Sequence, residues 1–273
     1  EVYHLYFGNE SGSPGTAMTF FPFEEGRRGR VGGGQVGYTT FAVPEDAMEF
    51  WEARLAKFLV SYEHAQRFGE TYLRFEDPDG LQLEIVAREE GPRSRWSFGG
   101  VPAEKAIKGF GGAVLYSMAP EKTMRALKQV LGLERVGEEQ GLVRYRAPGD
   151  LGNVIDVHAA AMGRGRGGTG TVHHIAWRAK DLDDQEEWRS LAEAHGFRTT
   201  PIVDRNYFTS IYFREEGEIL FEIATDPPGF LRDEPFEALG EKLMLPEWYE
   251  PHRERIQQSL PPFEIRVLEE DLR

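Results

Sequence analysis

A chain of 273 residues with 40% hydrophobic and 29% charged content has room for one large domain or two ordinary ones, and reads as soluble and globular. Its net charge of −14 argues against nucleic acid and anionic membranes as partners, and no run of 18 apolar residues is present to span a bilayer. The absence of cysteine excludes disulfides, thiolate metal sites and cysteine nucleophiles, so any metal must be held by His, Asp and Glu.

In chain order, EVYHLYFG reads as the middle of a strand. It starts at Glu1 without a methionine or a visible targeting segment, and a cytoplasmic location is the expectation. The stretch HLYFGNESGSPGTAMTFFPF parallels a much later one, SIYFREEGEILFEIATD, with Tyr6 set against Tyr212. Residues 1–24 are therefore expected to be the remnant of a first module whose opening strand and helix are missing from this sequence. The following EEGRRGRVGGG is a linker, not a phosphate loop, since no GK[ST] follows its glycines.

Residues 35–90 form the second expected module. VGYTTFAV is a strand, and Pro44, Glu45 and Asp46 lead into the helix AMEFWEARLAKFL, where Ala47, Trp51, Leu55 and Phe58 recur at helical spacing. TYLRFED and LQLEIV follow as strands around a tight turn at Asp79-Gly80. Residues 109–160 repeat the plan. GGAVLYSM leads through Pro120 into EKTMRALKQVLGLERV, with Met124, Leu127 and Leu131 as the stripe and Gly132 as the stop, before LVRYRAP and NVIDVHAA. A second linker, GRGRGG, precedes the third full copy at 171–228. Its strand is VHHIAW, its helix is capped by Asp181 or Asp183, carries Trp188, Leu191 and Ala192 inward and stops at Gly196, and its last strand is EILFEIAT. Residues 229–273 are expected to be a helical tail, with Trp248, Tyr249 and Ile256 of LPEWYEPHRERIQQ available for packing.

A β-α-β-β-β unit has a sheet too small to close alone, so the predicted fold class is α+β, with tandem modules pairing into cup-shaped half-barrels. Strand alternation puts His174, Ala176 and Arg178 on one face and His173 on the other; Leu220, Glu222 and Ala224 share a face in the final strand. If both strands line one curved sheet, His174 and Glu222 converge as two thirds of a 2-His-1-carboxylate set, which leaves open positions on a non-haem Fe(II). The other copies carry Tyr38 with Glu84, and Ala113 with Asp156, at the matching places, so only the last keeps both donors. His64 and His195 read as surface residues in or near helices, and His158 as a partly buried sheet residue.

At YHLYFGNESGSPGT, VHHIAW, DRNYFTSIYFRE, GEILFEIATDPPGF and LPEWYEPHRERIQQSLPP the chain resembles the vicinal oxygen chelate superfamily (glyoxalase, bleomycin resistance protein and extradiol dioxygenase). Within it, the resemblance is to hydroquinone-type ring-cleaving dioxygenases, over essentially the whole chain. The resemblance implies four β-α-β-β-β modules and Fe(II), with Mn(II) as the variant, held by two His and one Glu. His174 and Glu222 match metal ligands, and the third is expected from a His upstream of Glu1; His4 lies in a later strand and is not promoted to ligand. His173, Arg205 and Tyr212 match residues that orient substrate or handle protons. Tyr212 has the competing role of a hydrogen-bonding cap, Arg205 that of a structural ion pair, and His173 needs a twist or bulge to reach the site.

The expected partners are a small aromatic diol and O2, with self-association into a homo-oligomer left open. Two alternatives stand beside the dioxygenase. One is another metal-dependent member of the superfamily, such as a glyoxalase-type isomerase or lyase. The other is a metal-free binding module for small molecules.

Overall fold

The computed structural model describes residues 2–23 and 25–262. The first two strands, β1 (Leu5–Phe7) and β2 (Met18–Phe20), form an antiparallel ribbon. β3 (Gln35–Val43), α1 (Met48–Lys57), β4 (Tyr62–Arg67), β5 (Glu70–Glu76) and β6 (Gln82–Ala87) follow, then β7 (Gly109–Tyr116), α2 (Pro120–Gln129), β8 (Glu134–Glu139), β9 (Leu142–Arg146) and β10 (Val154–His158). The last strand–helix–strand run is β11 (Ile175–Ala179), α3 (Leu182–Ala194), β12 (Val203–Asp204), β13 (Thr209–Arg214) and β14 (Leu220–Thr225), and α4 (Arg253–Ser259) lies near the end.

β3 to β10 form one eight-stranded sheet in the order β4-β5-β6-β3-β7-β10-β9-β8, and β11 to β14 form a second in the order β11-β14-β13-β12. Read outward from the β3–β7 seam, each half of the large sheet has the same order as the small one. In every copy the first strand runs parallel to the last across the helical crossover (β3 with β6, β7 with β10, β11 with β14). Together with its helices this is the mixed α+β architecture of paired half-barrels.

The helices begin and end where local chemistry dictates. Pro120 sits in the first turn of α2, and the Asp181 carboxylate accepts from the Asp184 backbone N–H at 2.9 Å to cap α3. Gly132 and Gly196 follow their helices with φ of 69° and 86°. The main core joins the two sheets through Leu115, Leu127, Ile155, Ile211, Phe213, Phe221 and Ile223, all essentially sealed from solvent. Each such side chain contributes roughly 1.5–3 kcal/mol by leaving water. A smaller core under α1 gathers Val43, Ala47, Leu55, Leu73 and Ile85.

Several expectations need correction. Phe58 and Leu191 are exposed rather than inward; Phe58 follows the last residue of α1 and lies under the Arg54 and Lys57 cations, and Leu191 falls in the last turn of α3. His64 belongs to β4, a strand whose polar sequence YEHAQR hides its pairing with β5. The ERV run expected to extend α2 is the start of β8. In the tail, Trp248 and Tyr249 are half exposed, short 3-10 turns lie at Phe230–Arg232, Phe236–Ala238 and Glu250–His252, and α-helix begins only at Arg253; Ile256 is buried as expected. Residues 263–273 of that predicted tail, with Glu1 and Glu24 of the first remnant, lie outside the described residues.

The two Gly/Arg linkers are not independent tethers. Arg30 and Arg166 exchange backbone hydrogen bonds at 2.8 Å, and Gly33 N–H donates to Gly163 at 2.8 Å. A Cβ on Gly33 would stand 2.3 Å from the Met162 carbonyl, so the second linker can press this close only against glycine.

Candidate active site

The paired histidines lie just ahead of β11, not within it: the strand starts at Ile175. β11 and β14 run parallel with Ala176 opposite Glu222, which sets His174 diagonally beside that carboxylate on the same face. His174 Nε2 stands 2.6 Å from Glu222 Oε2, with the carboxylate almost fully buried and the imidazole one-fifth exposed. The convergence expected from strand alternation is therefore present in the fold.

The second carboxylate oxygen is held from β13. Ser210 Oγ donates a short hydrogen bond to Oε1, and Tyr212 OH donates to the same atom at 2.9 Å. Tyr212 pairs directly with Glu222 across the ladder, with Ser210 two residues away on the same face. Arg205 Nε donates to the Tyr212 oxygen at 3.2 Å, and its guanidinium carbon lies 5.3 Å from the ring centroid. A relay thus runs Arg205 to Tyr212 to Glu222. His173, expected to face away, instead meets His174 edge to face, with the two Nδ1 atoms 2.8 Å apart. Because these two residues precede the regular strand, alternation does not separate them, and no bulge is needed.

The electrostatics follow from burial and these contacts. Burial pulls the Glu222 carboxyl upward, but hydrogen bonds from His174, Ser210 and Tyr212, with the His174 charge, outweigh it and hold it below the ordinary value. Tyr212 is raised by burial and by the neighbouring Glu222 charge, so it remains a protonated donor at neutral pH. His173 is lowered by burial, then by His174 and Arg214, which keeps it neutral.

These residues line part of a large open cup of about 2080 Å³. His4 and Tyr6, from the first ribbon, line the same cup, as do Tyr207 and Phe230. Tyr6 and Tyr207 of the cup, and the fully buried Ser210, are the groups that sequence reasoning passed over as functional. Ser210 had a readable signal, since it alternates with Tyr212 in the strand antiparallel to the one carrying Glu222.

The donor set suits a divalent transition metal in kind: one imidazole nitrogen and one carboxylate oxygen, each braced on its far side. His173 contacts the remaining nitrogen of His174, and Ser210 and Tyr212 occupy the remaining oxygen of Glu222. In number the pair is two donors; among the described residues no cluster of three or more His, Asp or Glu is arranged to hold an ion. The residues present fit two corners of such a site.

The equivalent positions elsewhere are built differently. Glu84 and Asp156 are buried and bound by the guanidiniums of Arg67, Arg74 and Arg144. His158 does not join Asp156 in a site; its Nδ1 lies 2.9 Å from the Ala160 carbonyl oxygen. Register also moves one correspondence by a residue. Asp156 pairs with Val114 as Glu222 pairs with Ala176, so the counterpart of His174 is Gly112, not Ala113.

Comparison with known proteins gives the family. The glyoxalase/bleomycin resistance protein/dioxygenase superfamily model matches residues 109–231. MhqO of Bacillus subtilis (strain 168), a candidate ring-cleaving dioxygenase, is 60% identical over 98% of this chain and 86% of its own. The chlorohydroquinone/hydroquinone 1,2-dioxygenase of Sphingobium indicum is 36% identical over 89% of this chain and 78% of its own. A crystal structure of a candidate dioxygenase from Bacillus subtilis superposes with a TM-score of 0.96 at 60% identity, over 98% of this chain and 86% of that one. Glyoxalase I from Zea mays shares the fold alone, with a TM-score of 0.58 at 13% identity over 82% of this chain and 78% of that one. The chain belongs to the glyoxalase/bleomycin resistance protein/dioxygenase superfamily and is a ring-cleaving dioxygenase within it.

Proposed function

We propose that this ring-cleaving dioxygenase is of the extradiol type, uses Fe(II), and opens the ring of a hydroquinone or catechol with O2. The observation that carries the reading is the buried Glu222 carboxylate facing His174 Nε2 at 2.6 Å, with its other oxygen fixed by Ser210 and Tyr212. The relative from Sphingobium indicum, which bears a hydroquinone dioxygenase name, supports the substrate class. His174 and Glu222 are the proposed metal ligands in this chain, with Mn(II) as the alternative ion. A histidine ahead of Glu1 is the third donor in this reading. A ferrous ion bound there supplies open positions for a phenolate and O2 and the electrons that activate oxygen.

The protein groups do the rest. His173, held neutral, is placed to accept the proton that a phenol loses on ionising, and its contact with His174 keeps that ring turned so that Nε2 faces Glu222. Tyr212 fixes the carboxylate and is a protonated donor beside it, able to return a proton to a departing oxygen. Arg205 holds the Tyr212 oxygen and adds a permanent positive charge where an anionic oxygen develops.

The test is metal content and oxygen consumption together. His174→Ala and Glu222→Ala, prepared from full-length protein supplied with Fe(II), are expected to lose both retained iron and O2 uptake with hydroquinone or catechol. Variants that keep wild-type uptake would place the site elsewhere.

A further inference from the structure

One wall of the cup has no part in the proposed chemistry so far. His4, just ahead of β1, and Tyr6 within it line the cup, while Phe7 points outward, meets Phe20 at 5.5 Å between centroids and is 57% exposed. The Tyr6 ring is penned by three aromatic side chains, with centroids 4.9 Å away at Phe230, 5.9 Å at Tyr207 and 6.5 Å at Phe208. Tyr207 and Phe208 sit on the short segment between Arg205 and β13, and Phe230 follows the strand that carries Glu222. Tyr6 is thereby locked to the elements that position the site. In the same cup the Tyr212 hydroxyl is already engaged by Arg205 and Glu222, whereas the Tyr6 hydroxyl meets no hydrogen-bond partner among the described residues.

We propose that Tyr6 is a specificity-determining residue: its hydroxyl hydrogen-bonds the ring oxygen of the substrate remote from the His174–Glu222 pair, which selects a 1,4-diol over a 1,2-diol. This rests on the ring-diol reading above. The chemistry is a matter of geometry on the substrate. A 1,2-diol can present both oxygens at the pair and leave none for the opposite wall. A 1,4-diol presents one oxygen to the pair and carries the other across the ring, where the half-buried Tyr6 phenol is a fitting partner. Tyr6 is suited to donate there: burial first, then the charge of Glu222, pushes its pKa up to about 12, so it keeps its proton at neutral pH.

The test is a ligand-and-residue cycle in the full-length protein supplied with Fe(II) under strictly anaerobic conditions, with binding read by calorimetry. Wild type and Tyr6→Phe are each titrated with hydroquinone, phenol and catechol. Loss of one hydrogen bond should weaken hydroquinone about three- to tenfold in Tyr6→Phe, while phenol and catechol change by less than about twofold. The phenylalanine keeps the ring among its aromatic neighbours, and an unchanged melting midpoint confirms that packing is intact. An equal loss for all three ligands, or no loss for hydroquinone, overturns the assignment while leaving the dioxygenase reading standing. Wild-type protein that binds none of the three overturns both.

Discussion

Arg67 is the side chain whose removal should cost this fold most for the smallest change in volume. Its Nη1 and Nη2 donate to both oxygens of Glu84 at 2.8 and 2.7 Å, and its Nε donates to Asp156 Oδ2 at 2.6 Å. All three side chains are within 4% of complete burial, and the guanidinium lies flat over Tyr72 with 3.5 Å to the ring centroid. Arg67 therefore stitches β4 to β6 and to β10, across the seam between the two halves of the large sheet. In Arg67→Met three charge-assisted hydrogen bonds disappear, but neither carboxylate is abandoned. Glu84 keeps Arg74 Nε and Thr40 Oγ1, both at 2.8 Å, and Asp156 keeps Arg144 at 2.7 and 2.9 Å. The expected cost is then below the roughly 3–5 kcal/mol of a fully orphaned buried charge, and about 2–4 kcal/mol after the methionine recovers some packing. For a chain of this size that is a fall of about 5–10 °C in melting midpoint, measured by calorimetry beside a urea titration. The exposed Arg178–Asp226 pair is the control, and Arg178→Ala should cost less than about 1 kcal/mol. A midpoint for Arg67→Met within about 1 °C of wild type would refute the claim that this network holds the halves together.

Two further outcomes follow from neighbouring contacts. Ser210→Ala removes one of the two hydrogen bonds on Glu222 Oε1 while leaving that of Tyr212, and should weaken iron retention about 10- to 100-fold with little effect on the melting midpoint; unchanged iron affinity in a metal-buffer titration would show that the serine does not support the carboxylate. Acid should destabilise the fold through Glu70. Burial alone would raise this carboxyl, but Arg88, Tyr72 and Arg144 outweigh it and hold it at about 2 against an ordinary 4.5. A depressed carboxylate pKa gives stability that is fully present above the unfolded value and is lost as pH falls from 4.5 toward 2. Melting midpoints between pH 6 and 2.5 should therefore drop below about pH 4.5, and Glu70→Gln should flatten that part of the curve; a variant with the wild-type slope would assign the acid sensitivity to other groups.

Much of the architecture was legible because each copy repeats the same punctuation. Pro120, Asp181 and the Asp79-Gly80 turn mark boundaries by backbone chemistry that needs no tertiary context, and each is found where it was expected. What escaped was decided by partners distant in sequence. β4 is a polar hexapeptide that becomes a strand because β5 offers it a ladder, and Gln185 is buried in an otherwise ordinary helix face because its amide donates to the Thr209 and Ile223 carbonyls. In the site, alternation joined His174 to Glu222 because His174 sits one residue ahead of β11 and Ala176, two residues on, pairs with Glu222 in regular register. It misplaced His173, which lies a further residue from the strand and meets His174 instead of facing away from it.

The three complete copies differ in what stands opposite the acid, and the difference singles out the copy proposed to carry the chemistry. Each last strand holds an acid, and antiparallel register sets one residue directly opposite it: Tyr212 opposite Glu222, Arg74 opposite Glu84, Arg144 opposite Asp156. Where the opposing residue is arginine, the acid's charge is already matched inside the protein, so a metal ion would have to displace a buried guanidinium to reach it. Where it is tyrosine, the carboxylate receives neutral hydrogen bonds on one oxygen and shows the other to His174, with no guanidinium bound to it among the described residues. The same ladder position thus holds a charged donor in two copies and a neutral one in the third. Sequence comparison of the copies found the acids but not this distinction, because the residue opposite each acid is identified only when the strand register is known.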